Sequence, residues 1–521
     1  MKILLYNWMN YDDPQKRGGG VRVYQANLVA ELNNIPGIIV YTLSSGVSYD
    51  LFSRRAYIRK RHGAGSLHSY EIVNSPVAAP AHAAFTSLDI YLNDTSLRQI
   101  VKEFLDIHGP FDTIQFDNLE GLTAGVLSLK DQFPKTCFIY YMHNYNLVCP
   151  QVNLWFSEYK TCENYNEGKR CSVCLPTPIT MQEVKLAHAI STFLQSVGIG
   201  PDSFIFRMIY RKLALARRVK RKSRSFVGRF RRKEAMVPGP TLDTTTSRLP
   251  GNLVFSSNSS GSIYKQYRES NVWSMNNNFD HVLAVSSRVR ELAIQFGIAR
   301  QKISVAYIGT SFAKKLKPVR VRESDYLQIA YLGYEKSDKG FYHFIDTLEA
   351  IPRATAQKIS VLIAVKLQST DILNRLKRLS VEFHDFEIVD GYDHNGLGQL
   401  LANVDLGIIP VLWEDALPQV AIEFVAHGVP VLSSDLGGTK ELCGTNSKFV
   451  YRHGNARDLI SKLQFFMYNR SALQTFSYHG LTLMDMEQHV KLMLDRFYIL
   501  RSELPISVQN IEIRSAHIAE G

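Results

Sequence analysis

The sequence of 521 residues predicts an α/β protein built on parallel sheets. Three observations carry this. Short apolar runs alternate with helix-period segments along most of the chain. A triple glycine, Gly18-Gly19-Gly20, separates the first apolar run from the first helical pattern. The same rhythm restarts after a basic connector, AKKLKPVRVRESD at 313–325, so two such units joined by a linker are expected.

Lys2 to Asn7 reads as the first strand, and Val21, Tyr24, Leu28 and Leu32 recur at helical spacing after the glycines. A glycine turn between strand and helix lets backbone N–H groups approach a ligand. This one lacks dinucleotide or Walker spacing, and a tight turn with no ligand is its plainer reading. A second strand is expected at 38–43, and 46–95 is mixed, with a basic and aromatic run. A helix to about His108, a strand at 112–116, a helix at 119–132 and a strand at 137–143 follow. His143 thus falls at the carboxyl end of a parallel strand, where open α/β sheets bind ligands. A hydrogen-bonded strand-end histidine is the alternative. Residues 186–233 read as helical and 236–262 as loop. Strands at 281–286 and 303–309 flank the helix RVRELAIQFG. Beyond the linker come LQIAYLGY, a helix at 340–353, ISVLIAV, a helix at 371–380, FEIVDGY, a helix at 396–403 and VDLGIIPVLW.

That last strand delivers Trp413 to Leu442, the densest stretch of the chain. Pro418 suits a helix start and Gly428 its end. Val429 to Ser434 reads as a buried strand, and Gly437-Gly438 opens the next helix. Asp415 and Glu423 stand eight residues apart. They could hold two polyol portions of one ligand, or be a cap and a solvated glutamate.

Composition is ordinary for a globular chain, 45% hydrophobic and 21% charged. No uninterrupted apolar run reaches the ~18–20 residues needed to span a bilayer. The N-terminus reads as a strand and not as a signal peptide, so a cytoplasmic location is expected. The net charge of +12 is local. Arg207 to Lys233 holds thirteen Lys and Arg and no acid; taking them from 60 leaves 47 against 48 acids. The segment is either a solvated helical hairpin or an element for an anionic membrane surface, and nucleic acid is the weakest reading. Cys149, Cys162, Cys171 and Cys174 lie in a 26-residue window. A structural zinc site and free thiols are favoured equally over disulfides.

From about His281 to Tyr451 the sequence resembles the retaining glycosyltransferases of family 4, the group 1 type. Four stretches carry the resemblance in order: DHVLAVSSRVRELAIQFGI with KISVAYIGT, then YLGYEKSDKGFYHFI, VDLGIIPVLWEDALPQVAIEFVAHGVPVL and SSDLGGTKEL. The glycine loop and His143 also fall where that family has them. The resemblance implies a GT-B fold of two Rossmann-like domains facing a cleft. An acceptor-side domain is expected over 1–312, with a Cys-containing and basic helical insertion at about 146–275. The linker is 313–325, a nucleotide-sugar domain spans 326–483, and a helix and tail at 484–521 return to the first domain.

The resemblance also implies roles. Asp415 stands at the acid that contacts the donor sugar and Glu423 at the acid on the nucleotide ribose. Asp415 is shorter than the family's glutamate, and Glu414 beside it could stand in. Lys339-Gly340 match the element that holds the diphosphate. Gly333 is followed by Tyr334 where the family has arginine, and Lys336 is a stand-in for the missing cation. Gly19, Gly20, Pro418, Gln419 and Val420 complete the expected donor site, and His143 is expected near the donor sugar. Transfer with retention needs no metal in this family, and the two acids are not read as a hydrolase pair despite the glycosidase-like pattern. The expected partners are a nucleotide sugar and a glycan or lipid-linked acceptor, in surface polysaccharide or glycoconjugate synthesis with the enzyme peripheral to the membrane. A GT-B sugar-nucleotide epimerase and a non-catalytic, zinc-stabilised binding protein with a basic arm are the alternatives.

Overall fold

The computed structural model describes residues 1–15, 17–61, 67–175, 179–201, 203–209, 260–393, 396–443, 446–476 and 483–500. Of the basic segment 207–233, only 207–209 lies within them.

The first sheet contains β1 (Lys2–Tyr6), β2 (Ile39–Ser48), β3 (Tyr57–Lys60), β4 (Ser69–Val73), β5 (Thr113–Phe116) and β6 (Cys137–Met142). A two-stranded hairpin, β7 (Trp155–Phe156) with β8 (Lys160–Thr161), stands apart from it. Two later strands, β9 (His281–Ala284) and β10 (Ile303–Val305), complete the sheet. Its order is β10-β9-β6-β5-β1-β2-β4-β3, and β3 alone runs antiparallel. Strands β1, β5, β6 and β9 are almost wholly buried, as expected where helices cover both faces.

The second sheet is built from β11 (Leu327–Tyr334), β12 (Ile359–Lys366), β13 (Asp385–Val389), β14 (Leu406–Ile409), β15 (Val431–Ser434) and β16 (Val450–Tyr451). All its pairs are parallel, in the order β13-β12-β11-β14-β15-β16. Strand order reverses at β1/β5 in one sheet and at β11/β14 in the other. Doubly wound sheets bind ligands outside the carboxyl ends of such strands. Both Rossmann-like domains therefore aim a switch point at loops that carry the expected site.

Helix Gly19–Asn33 buries Tyr24, Gln25, Leu28, Val29 and Leu32 against the first sheet. Helix Met486–Arg496, capped by Asp485 and Gln488 in a capping box, packs on it from the far end of the chain. Tyr498 then donates to Gln115 Oε1 at 2.8 Å and accepts from Thr113 Oγ1 at 3.2 Å. The chain thus crosses between the domains twice, and the crossings touch: Gly309 bridges Met484, and Thr310 N donates to Met484 O at 3.0 Å.

The connector is fixed to the second domain. Arg322 grips the fully buried Asp405 at 3.0 and 2.9 Å, Arg470 reaches it at 2.8 Å, and Gln328 N donates to it at 2.8 Å. Asp405→Asn removes the charge that two guanidinium groups face, and should cost about 3 kcal/mol of stability. The urea midpoint reads this, and an unchanged midpoint would show that the pairs contribute nothing net.

Candidate functional site

The stretch from Trp413 is held by backbone shape before any side chain acts. Strand β14 ends at Ile409, and Pro410 O then lies where a Cβ on Gly340 would stand, 1.6 Å away. Only glycine fits there, and its φ of +73° is one that L side chains rarely adopt. This places Lys339, one residue earlier, against Asp415. Gly437 is constrained in the same way: a Cβ there would meet Asp415 O at 2.1 Å. Gly438 N donates to Asp415 O at 2.9 Å. The glycine pair therefore cradles the backbone of Asp415, as well as preceding helix Thr439–Leu442. Helix Gln419–Ala426 starts just after Pro418, which occupies the cap. Asp415 lies four residues before that helix, so it does not share a helical rise with Glu423.

The two neighbouring acids do different work. Glu414 is 2% exposed and takes Arg288 of the first domain in a two-point grip, at 3.1 and 2.5 Å. It also accepts from Gly437 N at 2.9 Å. Asp415, also buried, bonds Lys339 Nζ directly. Burial raises the Asp415 carboxyl above its usual range against the opposing pull of Lys339. Burial works against the Lys339 charge too, but Asp415 more than offsets it and the ammonium is held above its ordinary value. The half-buried ammonium also lies 5.1 Å from the centre of the Trp413 ring. Glu423, buried on its helix, accepts from Tyr392 Oη at 2.9 Å. Burial and then Glu423 push that phenol well above its usual range.

The first domain supplies the facing wall. Gly20 O accepts from Gln419 Nε2 at 2.9 Å, joining the glycine loop to the helix that carries Glu423. Gly19 has open space where a side chain would be. His143 follows β6, its ring 4.8 Å from that of Tyr24, with Nε2 3.5 Å from Asp117 Oδ1. The loop after it is pinned by helix Ser260–Asn278, where Tyr267, Arg268 and Asn271 donate to the carbonyls of Asn146, Val148 and Leu147. Tyr145, on that loop, is fully buried, and burial with Glu414 and Asp415 nearby holds its phenol well above the usual range. Tyr145 Oη, Trp413 Nε1 and His143 Nε2 are among the buried side-chain polar atoms, at this site and elsewhere in the described residues, that have no hydrogen-bond partner. Such atoms are costly unless something fills them, and the hydroxyls of a sugar have the chemistry to do so.

Other expected donor residues are half-buried or exposed. Gly333 is the penultimate residue of β11, Lys336 is exposed with its ammonium 5.5 Å from the centre of the Tyr334 ring, and Val420 is half-buried at the start of its helix. Arg288, Tyr145, Trp413 and Tyr392 escaped the sequence reading. Arg288 and Tyr145 lie far from Asp415 and Glu423 in sequence, and Trp413 and Tyr392 end apolar runs read as strands, so the pattern gives none of the four a role at the site. Glu441 is a further case. It accepts from Ser287 N at 3.1 Å and Arg288 N at 2.8 Å, placing a carboxylate of the second domain at the N-terminus of helix Ser287–Gln295.

Glu120 was also missed. Its carboxylate accepts from Ala81 N at 2.6 Å and Asn144 Nδ2 at 3.3 Å, beside His82 and His143. Burial raises it to about 7. The folded state then binds this proton more tightly than the unfolded chain does. Its contribution is fully present below about pH 4.5 and is lost as pH rises through 7. Glu120→Gln should flatten the fall in melting temperature over that window. An identical slope in the variant would assign the dependence to another group.

Cys149, Cys162, Cys171 and Cys174 are free thiols. Among the described residues no three His, Cys, Asp or Glu side chains form a group that could hold a metal ion. Of the two readings the spacing leaves equal, the zinc site finds no such ligand group among the described residues. Burial raises Cys174 to about 12, and the other three are also raised, which keeps the protons on sulfur.

Two Rossmann-like domains that bring switch-point loops together make this a GT-B fold, and solved structures bear that out. Anabaena HepE in complex with UDP and glucose is 13% identical with a TM-score of 0.52, over 95% of this chain and 100% of that one. HepE in complex with UDP is 12% identical with a TM-score of 0.53, over 95% and 99%. Sucrose-phosphate synthase from Thermosynechococcus elongatus is 13% identical with a TM-score of 0.51, over 100% of both chains. Residues 327–469 match the family described as glycosyl transferases group 1, and this part of the chain is a domain of that family. Comparison with curated proteins gives no match.

Proposed function

We propose that the protein transfers a sugar from a nucleotide-sugar donor to a glycan or lipid-linked acceptor, with retention at the anomeric carbon. The observation that carries this is the pair of half-buried Lys339 with buried Asp415, together with Glu423, near the switch point of a glycosyl transferases group 1 domain. A donor diphosphate offers Lys339 a stronger anionic partner than Asp415. Taking the ammonium would free the Asp415 carboxylate to accept from sugar hydroxyls. Negative charge grows on the leaving diphosphate as the glycosidic bond breaks, and a fixed ammonium stabilises it there. Glu423, bonded to Tyr392, is the acid assigned to a ribose hydroxyl of the donor. Tyr145 Oη, Trp413 Nε1 and His143 Nε2 supply further contacts on the sugar side.

HepE's complexes with UDP and with UDP and glucose make UDP-glucose the first donor to try. Calorimetry with a panel of nucleotide sugars tests the donor, and NMR of the product's anomeric carbon tests retention. An inverted product would sink the stereochemical part. Isomerised donor without acceptor would favour an epimerase, and failure to bind any donor would favour a non-catalytic protein.

A further inference from the structure

We propose that Asp117 is a positioning residue for His143, keeping a proton on Nε2 so that the ring meets the donor sugar as an N–H donor. The sugar role rests on the proposed transfer from a nucleotide sugar; the proton placement does not. Asp117 follows β5 at its carboxyl end, beside the β1/β5 switch point, and is fully buried. A carboxylate removed from water is costly unless donors or opposite charge surround it. Both of its oxygens are used. Oδ2 accepts from Gln25 Nε2 at 2.9 Å, and Oδ1 accepts from Gln115 Nε2 at 2.7 Å. The two amides carry no net charge. Among the described residues, His143 is the one basic side chain within ion-pair range of Asp117, with Nε2 3.5 Å from Oδ1.

That contact selects a tautomer. A lone pair on Nε2 would face a carboxylate oxygen, with no hydrogen between two acceptors. A proton on Nε2 turns this repulsion into attraction. At 3.5 Å the N–H is not committed to a full hydrogen bond with Asp117, so it is left to donate to a sugar oxygen. The ring is walled in: its side chain is 6% exposed, and the rings of Tyr24 and Tyr141 lie 4.8 and 4.4 Å from its own. Tyr24 is fixed in turn through its hydroxyl, 2.9 Å from Nε2 of His489 on helix Met486–Arg496. Helix Gly19–Asn33 thus contributes twice. Tyr24 walls the imidazole, and Gln25 aims the carboxylate.

The test joins spectroscopy to kinetics. Nitrogen NMR shifts of the imidazole rings in the full-length protein report which nitrogen carries hydrogen, with no donor present, and His143→Gln assigns the signal. A proton on Nε2 is expected. A proton on Nδ1 alone would overturn the inference whatever the donor, and this holds even if no Asp117 variant folds. In turnover, Asp117→Asn should lower kcat about tenfold with little change in KM, the scale of one well-placed hydrogen bond. Added to His143→Gln it should cost nothing further, because both act through one ring. The same loss in both backgrounds would make Asp117 a structural residue and overturn its positioning role. Wild-type protein that turns over no nucleotide sugar would instead remove the donor reading, and the sugar role of His143 with it.

Discussion

Lys339→Ala should lower turnover by about 10²–10³-fold, the range seen when one fixed transition-state donor is removed. Part of the loss in that variant would come from stability, because the buried Asp415 carboxylate would lose its partner and take up a proton. The double variant Lys339→Ala with Asp415→Asn separates the two effects. It should regain most of the melting temperature and none of the turnover. Asp415→Asn alone should reduce kcat more than it raises KM, since the sugar contact is expected to tighten as the bond breaks. Glu423→Ala, by contrast, should weaken nucleotide binding. Wild-type turnover by Lys339→Ala would remove the diphosphate role from this residue.

Glu414→Gln should destabilise the protein by about 2–3 kcal/mol. The carboxylate is almost fully buried while Arg288 is 24% exposed, which places the cost at the lower end for broken buried pairs. Arg288→Met should cost at least as much, because it strands the almost fully buried Glu414 carboxylate with the Gly437 N–H. Both variants loosen the contact between domains, so a rise in KM for the donor is expected alongside the lower urea midpoint. A stable but inactive Glu414→Gln together with an active Asp415→Asn would transfer the donor-sugar role to Glu414. The two acids differ in partner and in domain contact, which makes this a clean comparison.

Most parallel strands were legible because they are apolar runs with few competing readings, whereas β4, SYEIV within the mixed stretch 46–95, was not. Ile359–Lys366 and Leu327–Tyr334 are such runs. Helices were less legible where tertiary contacts override periodicity. The helix expected at 119–132 shrinks to Ala124–Leu127 followed by a 3-10 turn. Gly121 there lies against the backbone of Ser45, buried Asp117 accepts from Gln25 Nε2 on helix Gly19–Asn33, and Asn118 accepts from Trp8 N in the loop after β1. Similarly, the strand expected to 309 ends at Val305, because Gly309 turns aside to pair with Met484. At the site, Lys339, Asp415 and Glu423 could be located by motif. The partner of Glu414 could not, since Arg288 is 126 residues away and reaches it only through the docking of the two domains.

The two adjacent crossings between the domains have a mechanical meaning. A body held by one thread can swivel in every direction. Held by two threads bonded side by side, as at Gly309 and Met484, it resists twisting and keeps chiefly the freedom to rock. Opening to admit a donor would then be a one-dimensional motion. Its far edge would be fastened by two catches, Gln419 on Gly20 and Arg288 on Glu414.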